Sequence, residues 1–133
     1  MVFDTTISFR DLKGTQTILM VDDEDLLLGM GQTILSAYGY RVLTANSGQR
    51  ALEIFSNEPS AVHLVITDMV MGGMGGRELA EHIHRISPQT PILYTSGFVR
   101  PAGHEEEHNY LQKPFTSRDL LVKAKTLLSG NLS

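Results

Sequence analysis

An α/β fold, a parallel sheet wound on both faces by helices, is what this chain of 133 residues predicts. Three observations carry that expectation. Short apolar runs alternate with amphipathic segments almost from end to end, the order in which strands and crossover helices build a doubly wound sheet. The apolar runs are continuous rather than alternating in and out, so they read as strands buried on both faces. The composition, 41% hydrophobic and 20% charged, is that of a globular chain, long enough for one core and too short for two.

Residues 1 to 15 show no sustained periodicity and end in Lys13-Gly14-Thr15. They read as a flexible lead-in, either part of a longer parent protein or an added remnant, ahead of a domain over 16–129 and a tail over 130–133. Thr17 to Val21 is an apolar and β-branched run that stops at an acidic pair, the first strand. Asp25 to Tyr38 follows, with Leu27, Met30, Ile34, Leu35 and Tyr38 at helical spacing and Gly39 as its stop. Arg41 to Ala45 is a second strand. Ser47 caps a helix through Ala51, Leu52, Ile54 and Phe55, ended before Pro59. Leu64 to Thr67 is a third strand, and it delivers Asp68 at its end. A glycine-rich loop, Met71 to Gly76, leads into a helix from about Arg77 to Ile86. Pro91 to Thr95 is the fourth strand and Tyr110 to Gln112 a short fifth. The last helix opens at Thr116, whose Thr-x-x-Asp spacing to Asp119 is a capping box, and closes near Leu128.

The composition also excludes some chemistry. There is no cysteine, so disulfides, thiolate metal sites and a cysteine nucleophile are ruled out. That fits a reducing cytosol, as does a start without the basic and apolar regions of a signal peptide. No stretch approaches the ~18 apolar residues a membrane span needs, and no membrane contact is expected. The net charge of −4 argues against direct nucleic acid binding. Seven of the 15 acids fall in two runs, Asp22 to Asp25 and Glu105 to Glu107.

In an open doubly wound sheet, ligands bind beyond the carboxyl ends of the strands. Asp22 and Asp23 lie at that end of the first strand and Asp68 at that end of the third. If those strands are neighbours, three carboxylates meet at one rim, a repulsive arrangement unless a cation sits among them. An oxygen-only set favours a hard ion such as Mg²⁺, which commonly binds phosphate. The other reading of the acidic quartet is a solvated start to the first helix, where acids complement the helix dipole. Glu24 and Asp25 are assigned to that role. Ser96 ends the fourth strand and Lys113 follows the fifth. A hydroxyl donor and an ammonium are what a phosphoryl group on a carboxylate would require.

Together these residues resemble the receiver domain of two-component response regulators, from about Thr17 to Leu128. The resemblance rests on Val21-Asp22-Asp23-Glu24, Asp68-x-x-Met71-x-x-Met74-x-Gly76, Thr95-Ser96-Gly97 and Tyr110-x-x-Lys113-Pro114-Phe115, in that order. Gly14-Thr-Gln-Thr-Ile-Leu and Tyr110-Leu-Gln-Lys-Pro-Phe115 are most similar to receivers at the C-terminus of hybrid sensor histidine kinases. The resemblance implies a flavodoxin-like five-stranded sheet of order 2-1-3-4-5. It implies Asp68 as phosphoacceptor, taking the group from a histidine kinase or histidine phosphotransfer protein. It implies Mg²⁺ held by Asp23, Asp68 and the Val70 carbonyl, with Asp22 acting through water. Ser96 and Lys113 would contact the phosphoryl oxygens, and Tyr110 would be the aromatic switch. The Lys113–Pro114 bond is often cis in such domains. Oligomeric state, signal and output are left open.

Two departures stand out. Four glycines among residues 72 to 76 imply an unusually mobile loop. The interval from Ser96 to Lys113, holding Pro101 and Gly103, is short, so the fourth helix is expected to be reduced or missing. His104-Glu-Glu-Glu-His108 within it spells the HExxH signature, but the short polar segment offers no apolar face, and a solvated acidic loop is the expectation. Two rival functions remain: a pseudo-receiver that binds partners without phosphorylation, and an aspartate-nucleophile phosphatase acting through Asp23.

Overall fold

A computed structural model describes residues 9–97 and 109–130, the side chains of Phe9 and Arg10 apart. Five strands form one sheet: β1 (Thr17–Val21), β2 (Arg41–Ala45), β3 (Leu64–Asp68), β4 (Ile92–Ser96) and β5 (Tyr110–Gln112). All neighbouring pairs are parallel, as the sequence pattern predicts, in the order β2-β1-β3-β4-β5 that the resemblance implies. Among the described residues four helices cover it: α1 (Asp25–Ala37), α2 (Gly48–Asn57), α3 (Gly76–Ile86) and α4 (Ser117–Leu128).

The buried strands distribute their side chains to two cores. Ile18 and Met20 of β1 join Leu64, Ile66, Leu93 and Leu111 beneath α1 and α4, with Leu35, Leu120 and Leu121. Leu19 and Val21 join Val65, Ile92, Tyr94 and Tyr110 beneath α2 and α3, with Phe55, Leu79 and Ile83. One strand thus feeds two hydrophobic layers, which is why it is apolar at four successive positions from Ile18 to Val21. The predicted caps form: the Ser47 side chain accepts from Arg50 N–H, and Thr116 with Asp119 completes the capping box.

The inward face of α1 differs from expectation. Its buried residues are Leu28, Gly31 and Leu35, whereas Met30 is exposed. Residues 9–15, read from sequence as part of a flexible lead-in, are packed against the domain. Phe9–Leu12 is a 3₁₀ turn with Leu12 buried. The Tyr40 hydroxyl donates to the Leu12 carbonyl at 3.3 Å, and Lys125 Nζ donates to the Lys13 carbonyl at 2.7 Å. Gly14 N–H donates to the Tyr38 carbonyl at 3.0 Å. Gly39 lies opposite with φ of +101°, and a β-carbon there would strike the Gly14 carbonyl oxygen, so this junction needs glycine twice over. The predicted shortening of a fourth helix, the HExxH segment and residues 131–133 of the tail fall outside the described residues. Among the described residues no helix is long and apolar enough to cross a membrane.

Candidate functional site

The sheet order places β1 beside β3, so the predicted meeting of acids takes place. One carboxylate oxygen each from Asp22, Asp23 and Asp68 lies within 4.8 Å of the others. Asp22 and Asp68 are buried and Asp23 is exposed. The register brings Asp68 opposite Thr95, with Ser96 next along β4 and opposite Gln112 of β5. Lys113 follows directly, its N–H donating to the Ser96 carbonyl at 2.7 Å. The Lys113–Pro114 peptide is cis, as the resemblance implied.

Lys113 is the centre of the charge arrangement. Its Nζ lies 3.0 Å from Asp22 Oδ2, 3.3 Å from Asp68 Oδ2 and 3.6 Å from Glu24 Oε1. Burial works against the lysine's charge, but the hydrogen bond and field of Asp22, then those of Asp68, hold its pKa above the usual lysine range. Burial likewise raises the Asp68 carboxyl. Lys113 opposes that rise, Asp22 adds to it, and hydrogen bonds from Lys113 and the Val70 N–H oppose it, yet the pKa stays above the usual carboxylate range. The pairing therefore reads differently from its two ends. The lysine is shared with Asp22 at the shorter distance, so Asp68 receives only part of its charge.

Two of the three clustered acids press on one ammonium, and the group keeps an excess of negative charge. An oxygen-only donor set of this kind suits a hard divalent ion, Mg²⁺ among them. The third acid is held from the facing loop: Gly72 N–H donates to Asp23 Oδ2 at 3.4 Å. Val70, exposed at 60%, stands at the same rim two residues past Asp68.

The glycine run between β3 and α3 serves two purposes. A β-carbon on Gly72 or Gly73 would meet nothing. On Gly76 it would be driven into the Asp68 carbonyl oxygen, with Met69 Cα at 3.1 Å, so this glycine lets α3 start against the backbone of the acid itself. Ser96 and Tyr110 are both buried. Tyr110 is the register partner of Tyr94, whose ring carries the Arg77 guanidinium 5.0 Å from its centroid.

Sequence reasoning missed two of these residues. Arg77 was read only as a helix start. Glu24 was assigned to the solvated beginning of α1; it does occupy the N-cap, but its side chain makes no capping hydrogen bond and stands beside Lys113 instead. The partner of each, Tyr94 for Arg77 and Lys113 for Glu24, lies many residues away and leaves no local signal. The two histidines of α3 are engaged apart: His84 Nε2 pairs with the Thr90 carbonyl at 3.0 Å, and His82 with Glu78 and Arg85 on the surface.

Comparison with known proteins agrees with this arrangement. The profile of the family described as "Response regulator receiver domain" matches residues 18–125. The chain is 33% identical over 123 residues to the sensor kinase CckA of Brucella abortus, covering 89% of this chain but only 13% of that kinase. Among solved structures, the receiver domain of the hybrid histidine kinase CckA superposes with a TM-score of 0.74 at 30% identity, over 84% of this chain and 98% of that one. A CheY-like receiver from Methanospirillum hungatei superposes with a TM-score of 0.78, also at 30% identity, over 88% and 96% of the two chains.

Proposed function

The chain belongs to the response regulator receiver family of two-component signalling, and on that premise we propose that Asp68 takes a phosphoryl group from a phosphohistidine on a partner protein. The observation that supports this most directly is Lys113 Nζ at 3.0 Å from Asp22 and 3.3 Å from Asp68, at the rim that Asp23 shares. An Asp68 oxygen forms the new O–P bond as the N–P bond to the imidazole breaks, and the bonding pair leaves with the ring nitrogen. Such transfer needs positioning and charge neutralisation more than covalent machinery. Lys113 turns its ammonium to the phosphoryl oxygens and Ser96 donates its hydroxyl to them, with Tyr110 following Ser96 as the switch. Asp23 and Asp68 directly, Asp22 through water and the Val70 carbonyl would hold Mg²⁺, which when bound supplies positive charge against the phosphoryl oxygens. The domain is a switch rather than a turnover enzyme.

The donor is a histidine kinase or a histidine phosphotransfer protein. Similarity to the CckA receiver supports a place within a hybrid sensor kinase, and the compartment consistent with that is the cytoplasm. A partner must bring its histidine up to Asp68 and so covers the surrounding rim. Leu26, which follows Asp25 in the first turn of α1, is 76% exposed, and Met30 and Val70 are exposed as well. Leu26→Asp should leave folding within about 0.5 kcal/mol of the parent, as surface changes do. It should slow transfer from the protein donor by about tenfold, the loss of one apolar anchor, and leave loading from acetyl phosphate unchanged. Equal losses with both donors would show that Leu26 acts on the site and not on the partner.

The central test is intact-mass measurement with Mg²⁺ and acetyl phosphate. The parent should gain one phosphoryl group and Asp68→Asn none; a gain in the variant would remove Asp68 from its role. The same variant carries a second, independent result. A carboxyl whose pKa is raised on folding contributes stability that is present below its unfolded value and lost as pH rises through the folded one. At neutral pH the ionised Asp68 therefore disfavours the fold, and Asp68→Asn should melt at a higher temperature in metal-free buffer.

A further inference from the structure

We propose that Glu24 is a positioning residue that competes with the phosphoryl group for Lys113 and thereby slows the loading of Asp68; this rests on the roles given to Asp68 and Lys113 above. Three carboxylates converge on one ammonium, those of Asp22, Asp68 and Glu24. They are not equivalent. Asp22 and Asp68 belong to the group of acids whose oxygens crowd within 4.8 Å, and Glu24 does not. A cation drawn to that group takes up the charge of its members and weakens their hold on the lysine. Glu24 keeps its own.

The backbone fixes Glu24 where this matters. Its N–H donates to Asp22 Oδ1 at 2.9 Å, tying the residue to the wall of the site. It stands at the N-cap of α1 with an extended backbone and makes no side-chain capping bond, so its carboxylate is committed elsewhere. That carboxylate lies 3.6 Å from Lys113 Nζ and is 64% exposed, so it stands between the lysine and solvent. Lys113, at 14% exposure, must shift its ammonium from this carboxylate to the phosphoryl oxygens during loading. An anionic donor meets the same negative charge on approach. Both effects slow the reaction, and neutralising Glu24 relieves both.

The test compares Glu24→Gln with Asp25→Asn, which removes the same charge one residue later. Among the described residues Asp25 makes no ion pair with Lys113. Loading from acetyl phosphate at saturating Mg²⁺ should be about two- to fivefold faster in Glu24→Gln, the range an exposed ion pair carries. It should be unchanged in Asp25→Asn. Added salt should narrow the difference between parent and Glu24→Gln, since exposed charges are screened. Without any donor, the ¹⁵N resonance of the Lys113 ammonium should move in Glu24→Gln and stay put in Asp25→Asn. Equal acceleration by both variants would overturn the proposal in favour of a general charge effect. An unchanged or slower Glu24→Gln, in a parent that does load, would overturn it alone. A parent that never acquires a phosphoryl group would overturn the receiver reading of Asp68 itself.

Discussion

Lys113→Met is expected to unfold about 3 kcal/mol more easily than the parent in metal-free buffer, the cost of removing one partner from a buried ion-pair group. The side chains of Lys113, Asp22 and Asp68 are 14%, 4% and 9% exposed, so water cannot replace the lost ammonium. Two carboxylates would then face each other without compensation. Mg²⁺ should restore much of the loss, because a cation among the acids does electrostatically what the lysine did. Denaturant titrations with and without Mg²⁺ measure both effects, and coincident midpoints for parent and variant would refute the account. The pH dependence has a definite sign. A lysine whose pKa is raised on folding gives stability that is fully present below its unfolded value and is lost as pH rises through the folded one. The gap between parent and Lys113→Met should thus persist through neutral pH and close only in alkali. Loading of Asp68 should fall on the order of 100-fold, as when one preorganised charge-stabilising donor is removed from a site.

Gly76→Ala should be nearly as damaging by a purely steric route. The new β-carbon would be driven into the Asp68 carbonyl oxygen and would lie 3.1 Å from both Asp68 carbonyl carbon and Met69 Cα. None of these atoms belongs to a flexible side chain, so the main chain that carries Asp68 has to move. Overpacking of this kind costs about 2–3 kcal/mol. Because even small displacements of a reacting group are expensive, loading should slow on the order of 100-fold. Gly72→Ala provides the contrast within the same loop. Its β-carbon meets nothing and its φ is not positive, so stability should hold or rise slightly. Thermal melts and intact-mass time courses of the two variants decide the matter, and similar behaviour of both would mean that the loop simply tolerates or rejects side chains throughout.

The sheet and the acid rim were legible because β1, β3 and β4 each end at or beside a polar residue of the rim. Val21 is followed by Asp22 and Asp23, and Asp68 and Ser96 close β3 and β4. A parallel sheet points all those ends the same way, so a one-dimensional pattern became a three-dimensional cluster. The phase of α1 was not legible. Leu26, Leu27 and Leu28 form an unbroken apolar run, and such a run cannot say which leucine faces inward. The deciding contact is Gly31, where a β-carbon would collide with the Met20 side chain, and a glycine contributes no hydrophobic signal. Leu12 was missed for a related reason: a single buried residue in a 3₁₀ turn has no period. Glu24 was missed because its significance lies in Lys113, on the far side of β3 and β4.

The clamp of Gly14 and Leu12 by Gly39 and Tyr40 sets where the domain can be joined to something else. It lies where α1 ends and β2 begins, at the pole away from the carboxyl ends of the strands. The described chain leaves by that same pole, where Leu127, Leu128 and Gly130 gather near Gln16 and Pro91 at the starts of β1 and β4. Entrance and exit of the described residues thus share one side, and Asp22, Asp23 and Asp68 gather at the other. The fold is in that sense a portable cassette: a neighbour joined at either end of the described residues is attached at the pole opposite the acid rim.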